Sequence, residues 1–145
     1  MNKLEQLIQL HEGSNVVDGV HRMYKCPADK WTIGNGHNVE DNGISYEIAQ
    51  LILEEDIRGA EMDIHYIFGD IGIEPVRHAA LVDMVFNMGR STLIRFKKMI
   101  GAIAVDDWNL AADEAMDSRW YTQTGSRAKR IVEMLRSNEW PSELD

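Results

Sequence analysis

Leu4, Leu7, Ile8 and Leu10 recur at helical spacing through residues 2–12, and Gly13 follows where such a helix would stop. The period then changes. Tyr24 and the alternation Trp31-Thr32-Ile33 predict short strands, with Cys26-Pro27-Ala28-Asp29 as a turn and Gly34 and Gly36 as backbone-permissive positions. Asp41-Asn42-Gly43 marks another turn, and Ser45 suits the N-cap of a long helix running to about residue 67. Along it Ile48, Leu51, Ile52, Ala60 and Ile64 face one way, with Glu54, Glu55 and Glu61 largely opposite. Gly69 and Gly72 end that run, and Pro75 suits the first turn of the next helix. Ala79, Ala80, Leu81, Met84, Val85 and Met88 predict a body buried nearly all round, ending near Gly89. Further helices are predicted at about 92–101, 105–117 and 126–137, the last capped by Ser126. The result is an α+β protein of one domain over residues 1–145. A small β-hairpin lobe (about 13–45) is joined by the 45–67 helix to a larger helical lobe built from 1–12 and 68–145.

Composition supports a folded chain. Of 145 residues, 44% are hydrophobic and 27% charged, which excludes a disordered or low-complexity sequence. A single cysteine, Cys26, leaves no internal disulfide to form. No apolar run reaches the roughly 20 residues that span a bilayer, so no stable membrane insertion is expected. The opening MNKLEQLIQLHEG lacks the apolar core of an export signal, so no classical export signal is expected.

Charge is unevenly placed. Residues 1–70 hold 5 basic and 13 acidic side chains, and residues 71–145 hold 10 and 11. A net charge of −9 argues against nucleic acid as a partner, because that binding leans on phosphate neutralisation. Arg95, Lys97 and Lys98, and Arg119, Arg127, Lys129 and Arg130, read from spacing alone as solvated helix faces.

Two residue types draw chemical notice. Glu12, at the C-terminal end of an apolar helix, meets the negative end of the helix dipole, and partial burial would add to it. Both disfavour its charged form, as a proton donor requires. An ordinary surface glutamate fits the same position. The five histidines, 11, 21, 37, 65 and 78, show no tight ligand spacing, and neither a metal nor another cofactor is expected.

Glu12 is followed by MYKCPADKWTIGNGH, and here the chain resembles the phage-type lysozymes, a muramidase family. The family pattern is a glutamate closing the first helix, an aspartate or cysteine before a tight turn, and a threonine in a T-I-G-x-G-H strand. Glu12, Cys26 and Thr32 fall on these positions, with the family's five residues between the last two. RHAALVDMVFNMG (Arg77 to Gly89) and SRWYTQTGSRAKR (Ser118 to Arg130) extend the resemblance over almost the whole chain, as does Trp140.

The resemblance implies an endolysin hydrolysing the β-1,4 bond between N-acetylmuramic acid and N-acetylglucosamine of bacterial peptidoglycan. Glu12 would be the general acid, with Cys26 and Thr32 positioning the water. An inverting arrangement of this kind leaves roughly 6.5–9.5 Å for that water. Asn38, Phe86, Asn87, Met99, Glu114 and Arg127 fall on substrate-contact positions. Met99 and Glu114 differ in type from the family's residues there, and Phe86 fits a helix core equally well. The resemblance also implies a monomer with a cleft between its lobes, held in the host cytoplasm until a holin releases it to the periplasmic wall.

Three departures stand out. A free thiol, with a pKa of about 8.5, cannot supply an aspartate's steady charge. The 13 residues between Glu12 and Cys26 exceed the family spacing. His11 replaces an acidic partner of Arg127, leaving Glu12 to meet that arginine. Two alternatives follow: a lytic transglycosylase cutting the same bond, and a glycan-binding protein whose catalysis has lapsed.

Overall fold

The computed structural model describes residues 1–144, and contacts divide it into two units, Met1–Leu51 and Ile52–Asp145. The α+β class expected from the sequence is found.

The first unit opens with helix α1, Lys3–Glu12. Asn2 closes its start as a capping box: the Asn2 side chain accepts from the Glu5 amide at 2.8 Å, and the Glu5 carboxylate accepts from the Asn2 amide at 2.8 Å. Gly13, at φ 66, ends it. The lengthened segment after Glu12 folds as a hairpin of its own, β1 (Val16–Val17) against β2 (Val20–His21), which no alternation had predicted. Asp18 and Gly19 make its turn, both at positive φ (51 and 78), the conformation two-residue hairpin loops demand.

A three-stranded antiparallel sheet follows, in the order β3 (Tyr24–Lys25), β4 (Trp31–Ile33), β5 (His37–Asn38). Its register pairs Tyr24 with Thr32 and Thr32 with Asn38. Where a plain turn was expected, Val39–Asn42 forms a short helix, α2, capped by the Asn38 side chain.

Helix α3, Tyr46–Phe68, runs from the first unit into the second. The Ser45 hydroxyl accepts from the Ile48 amide at 3.2 Å, as a cap should. In the second unit α3 is followed by α4 (Pro75–Met88), α5 (Arg90–Leu93), α6 (Lys97–Ala104), α7 (Trp108–Met116), α8 (Arg119–Thr124) and α9 (Ser126–Ser137). A final 3₁₀ turn covers Ser142–Leu144. Leu81, Met84, Leu93, Met99 and Leu135 are its largest fully buried apolar side chains. Each is worth roughly 1.5–3 kcal/mol of transfer free energy. Arg77 ties α4 to the end of α9: its Nε donates to the Leu135 carbonyl at 2.8 Å, and its guanidinium lies 4.9 Å from the Trp108 ring centroid.

Three helical expectations need correction. Helix α4 is amphipathic, not buried all round, since Asp83, Phe86 and Asn87 are exposed. The 92–101 segment is broken at residues 94–96, where the Arg95 and Phe96 amides turn back to the Thr92 and Leu93 carbonyls. Ser126 is the first residue of α9 and not its cap; Gly125, at φ 70, stands before it and no side chain caps the end.

Candidate active site

The register of the three-stranded sheet decides which side chains share a face. Tyr24, Thr32 and Asn38 are cross-strand partners, and Cys26 lies two residues beyond Tyr24, so all four project to one side. Thr32 is the one polar residue buried among the described residues, at 2% exposure. Its hydroxyl donates to the Lys30 carbonyl at 2.9 Å, leaving its lone pairs as acceptors. The same carbonyl accepts from the Cys26 amide at 3.0 Å. Asp29, at φ 59, makes the left-handed step that closes the turn, its amide donating to the Cys26 carbonyl at 2.8 Å.

Cys26 is half-buried and free. The backbone N–H of Lys30 is the largest influence on its thiol, and holds it below the ordinary thiol range. Burial opposes this, while the Ala28 amide adds to the lowering. The turn therefore makes this thiol easier to ionise than an ordinary cysteine.

Glu12 reaches this sheet through the β4–β5 turn, Gly34-Asn35-Gly36. A Cβ built on Gly36 would stand 2.8 Å from Glu12 Oε2 and 2.9 Å from its Cδ. Only a glycine, here at φ 85, lets the carboxylate lie against this backbone. Beside it, Asn35 Nδ2 donates to the Gly13 carbonyl at 2.9 Å. Glu12 is exposed, so the partial burial expected of it is absent.

A charged latch braces the same hairpin. Lys30 Nζ lies 3.1 Å from Asp41 and 3.3 Å from Glu40, and Lys25 Nζ lies 3.7 Å from Glu40. Lys30 is raised above its ordinary value, first by its hydrogen bond to Asp41 and then by Glu40. The Trp31 amide is the main cause holding Glu40 low, and Lys30 the main cause for Asp41. Of the substrate candidates here, Asn38 is already engaged: its amide group accepts from the Asp41 amide and donates to the Asp41 carboxylate, both at 3.0 Å. His37 is a bracing residue, its Nε2 2.6 Å from the Gly43 carbonyl.

In the second unit the remaining candidates fall on two grooves. Asn87, Glu114 and Trp120 line one of about 800 Å³. There the Asn87 side-chain oxygen accepts from Trp120 Nε1 at 2.9 Å, and Trp120 meets Phe96 edge to face. Met99, expected at a sugar-contact position, also borders this groove; it has 0% exposure and packs with Ala102 and Ile103 in the apolar stripe of α6, so it backs the groove from within the core. Phe86, 42% exposed, and Arg127 line the other groove, of about 850 Å³. Arg127 Nε pairs with Asp83 at 2.8 Å, a partner the sequence reading had not named.

Asn35, Gly36 and the Lys30 carbonyl were also not singled out as functional. The glycine was legible as a flexible position, but its closeness to residue 12 depends on a contact 24 positions away in sequence.

The sequence matches the phage lysozyme family model over residues 15–139. It is 25% identical to the probable T4-type lysozyme 2 of Dictyostelium discoideum over 167 aligned positions, covering 94% of this chain and 95% of that protein. The SAR-endolysin of Haemophilus phage HP1 is 27% identical, with 86% and 73% covered. The pre-baseplate central spike protein Gp5 of Enterobacteria phage T4 is 32% identical over 96 residues; the match takes in 63% of this chain and 17% of the spike protein.

Proposed function

Because the chain belongs to the phage lysozyme family and is a lysozyme-type enzyme, we propose that it hydrolyses the β-1,4 bond between N-acetylmuramic acid and N-acetylglucosamine in bacterial peptidoglycan. The observation that carries this reading lies within residues 12–36. One carboxylate rests against the turn of a hairpin whose sheet face presents a thiol and a hydroxyl.

In this mechanism Glu12 protonates the leaving glycosidic oxygen. The water that attacks the anomeric carbon donates one hydrogen bond to the Thr32 oxygen, whose own proton is committed to Lys30. Cys26, made easier to ionise by the Lys30 amide, accepts as thiolate the proton that the water gives up and stabilises the positive charge developing on the sugar. Met99 with Asn87 and Glu114 in one groove, and Phe86 with Arg127 in the other, each set an apolar residue beside polar groups, the mixture a sugar ring recognises. Asn38, held by Asp41, would contact glycan through its backbone or through whatever capacity its amide retains.

The enzyme acts as a monomer in this reading, accumulating in the host cytoplasm until a holin lets it reach the periplasmic wall. Mass spectrometry of digested, purified wall tests the chemistry. Hydrolysis leaves ordinary reducing muramic ends; anhydro ends, lighter by one water, would assign the protein to the transglycosylases, and intact glycan would leave it a binding protein.

A further inference from the structure

Two neighbouring residues of the β4–β5 turn each meet one of two neighbouring residues at the end of α1. Gly36 lies against the Glu12 side chain, and Asn35 Nδ2 holds the Gly13 carbonyl at 2.9 Å. Strand β4, which carries Thr32, enters this turn directly. The spacing between the acid and the water-holding hydroxyl is therefore carried by one three-residue turn and the tether it makes.

We propose that Asn35 is a positioning residue for the glycosidase reaction, setting the Glu12 carboxylate against the leaving oxygen by fixing the peptide that follows it. The physical case is one of freedom. Glu12 is the last residue of α1 and is exposed, with no described side chain donating to its carboxylate. Gly13 behind it has no Cβ and adopts φ 66, so the backbone there is at its most permissive. Without a tether the end of the helix frays, and the acid samples positions that a single catalytic geometry excludes. The Asn35 amide removes that freedom at the Gly13 carbonyl, a group left unsatisfied by the helix end itself. Gly36 then supplies a wall of backbone close enough to define one side of the carboxylate. Asn35 touches neither sugar nor water in this account; it acts through residue 12.

The inference rests on Glu12 being the general acid, and the experiment separates the two. Wild type, Asn35→Ala, Glu12→Gln and the double variant are compared on purified wall, with thermal melting as the check on folding. Asn35→Ala should lower kcat by about ten- to a hundred-fold with KM little changed, since what is lost is alignment of a reacting group. It should add nothing in the Glu12→Gln background. Asn35→Asp, which keeps the size but loses the donor, should fail to restore kcat and should move the alkaline limb of the pH profile, where the general acid loses its proton, to higher pH by placing a charge near Glu12. Full kcat in Asn35→Ala alongside an inactive Glu12→Gln overturns the positioning role alone. An undiminished further loss in the double variant does the same. Activity surviving in Glu12→Gln overturns the underlying reading, and this inference with it.

Discussion

The Cys26 amide and the Thr32 hydroxyl converge on a single acceptor, the Lys30 carbonyl, at 3.0 and 2.9 Å. This shared oxygen fixes the thiol-bearing turn and the hydroxyl-bearing strand relative to each other. It also decides the direction of the Thr32 proton, and hence that the hydroxyl meets a water as an acceptor.

Replacing that hydroxyl separates its structural from its chemical effect. Thr32→Val keeps the buried, branched shape and leaves the Lys30 carbonyl its bond from Cys26, so the stability cost is about 0.5–1.5 kcal/mol. Activity should fall roughly a hundred-fold through loss of water alignment. Thr32→Ser, retaining the oxygen, should recover most of it. Urea unfolding and wall clearing, measured side by side, check the pair.

Gly36→Ala puts a methyl 2.8 Å from Glu12 Oε2 at a backbone φ of 85. The left-handed conformation costs a Cβ-bearing residue about 1–2 kcal/mol. The larger effect should be on turnover, because the carboxylate has to move away. A loss of kcat well beyond the shift in melting temperature is the expected signature.

How much of this could be read beforehand follows from how local each signal is. The stops at Gly13 and Gly89, Pro75 at the start of α4 and the Ser45 cap are written in one or two residues each, and all were legible. The β1–β2 hairpin was not, because Val16, Val17 and Val20 show no alternation, although Asp18-Gly19 is a hairpin turn signal. The break at residues 94–96 has neither glycine nor proline to announce it. The apolar spacing of Met99 with Ala102 and Ile103 reports its place in the core, whereas its position behind the groove of Asn87 and Glu114 depends on helix packing that no spacing reports. Glu12, Cys26 and Thr32 stood out as types in a motif. What orients them, the Asn35 tether and the Lys30 oxygen, is made by hydrogen bonds across a turn or over 22 residues, and no spacing rule reports those.

Cys26 should alkylate with a pH midpoint below the roughly 8.5 of an unperturbed thiol. The fold favours its ionised form, chiefly through the Lys30 amide, so the folded value lies beneath the unfolded one. The stability this contributes is present above the unfolded value and lost as pH falls through the folded one. Iodoacetamide rates across pH, in native and urea-unfolded protein, give the comparison; coincident midpoints would deny the thiolate its role.

The latch of Lys30, Glu40 and Asp41 has its own pH window. Both carboxylates are lowered, so their contribution is present above the unfolded carboxylate range and fades as pH drops through the folded values. Lys30 is raised, so its contribution is present below the unfolded lysine value and fades as pH rises through the folded one. Melting temperature against pH should therefore flatten on the acid side in the Glu40→Gln, Asp41→Asn double variant. An unchanged acid limb would show that the latch is only a surface arrangement.

With a net charge of −9, the chain has little long-range attraction for anionic wall polymers. Activity on purified wall should change only shallowly between low and physiological salt, and a strong low-salt optimum would contradict this. Screening over a Debye length of about 8–10 Å is what the titration varies.

The central claim is that Glu12 delivers the proton, and Glu12→Gln tests it most directly. The amide keeps the side chain's size against Gly36 while removing the transferable proton. Turbidity clearing of permeabilised Gram-negative cells by this variant should vanish while circular dichroism and melting match the wild type. Clearing at a rate close to wild type would contradict the account.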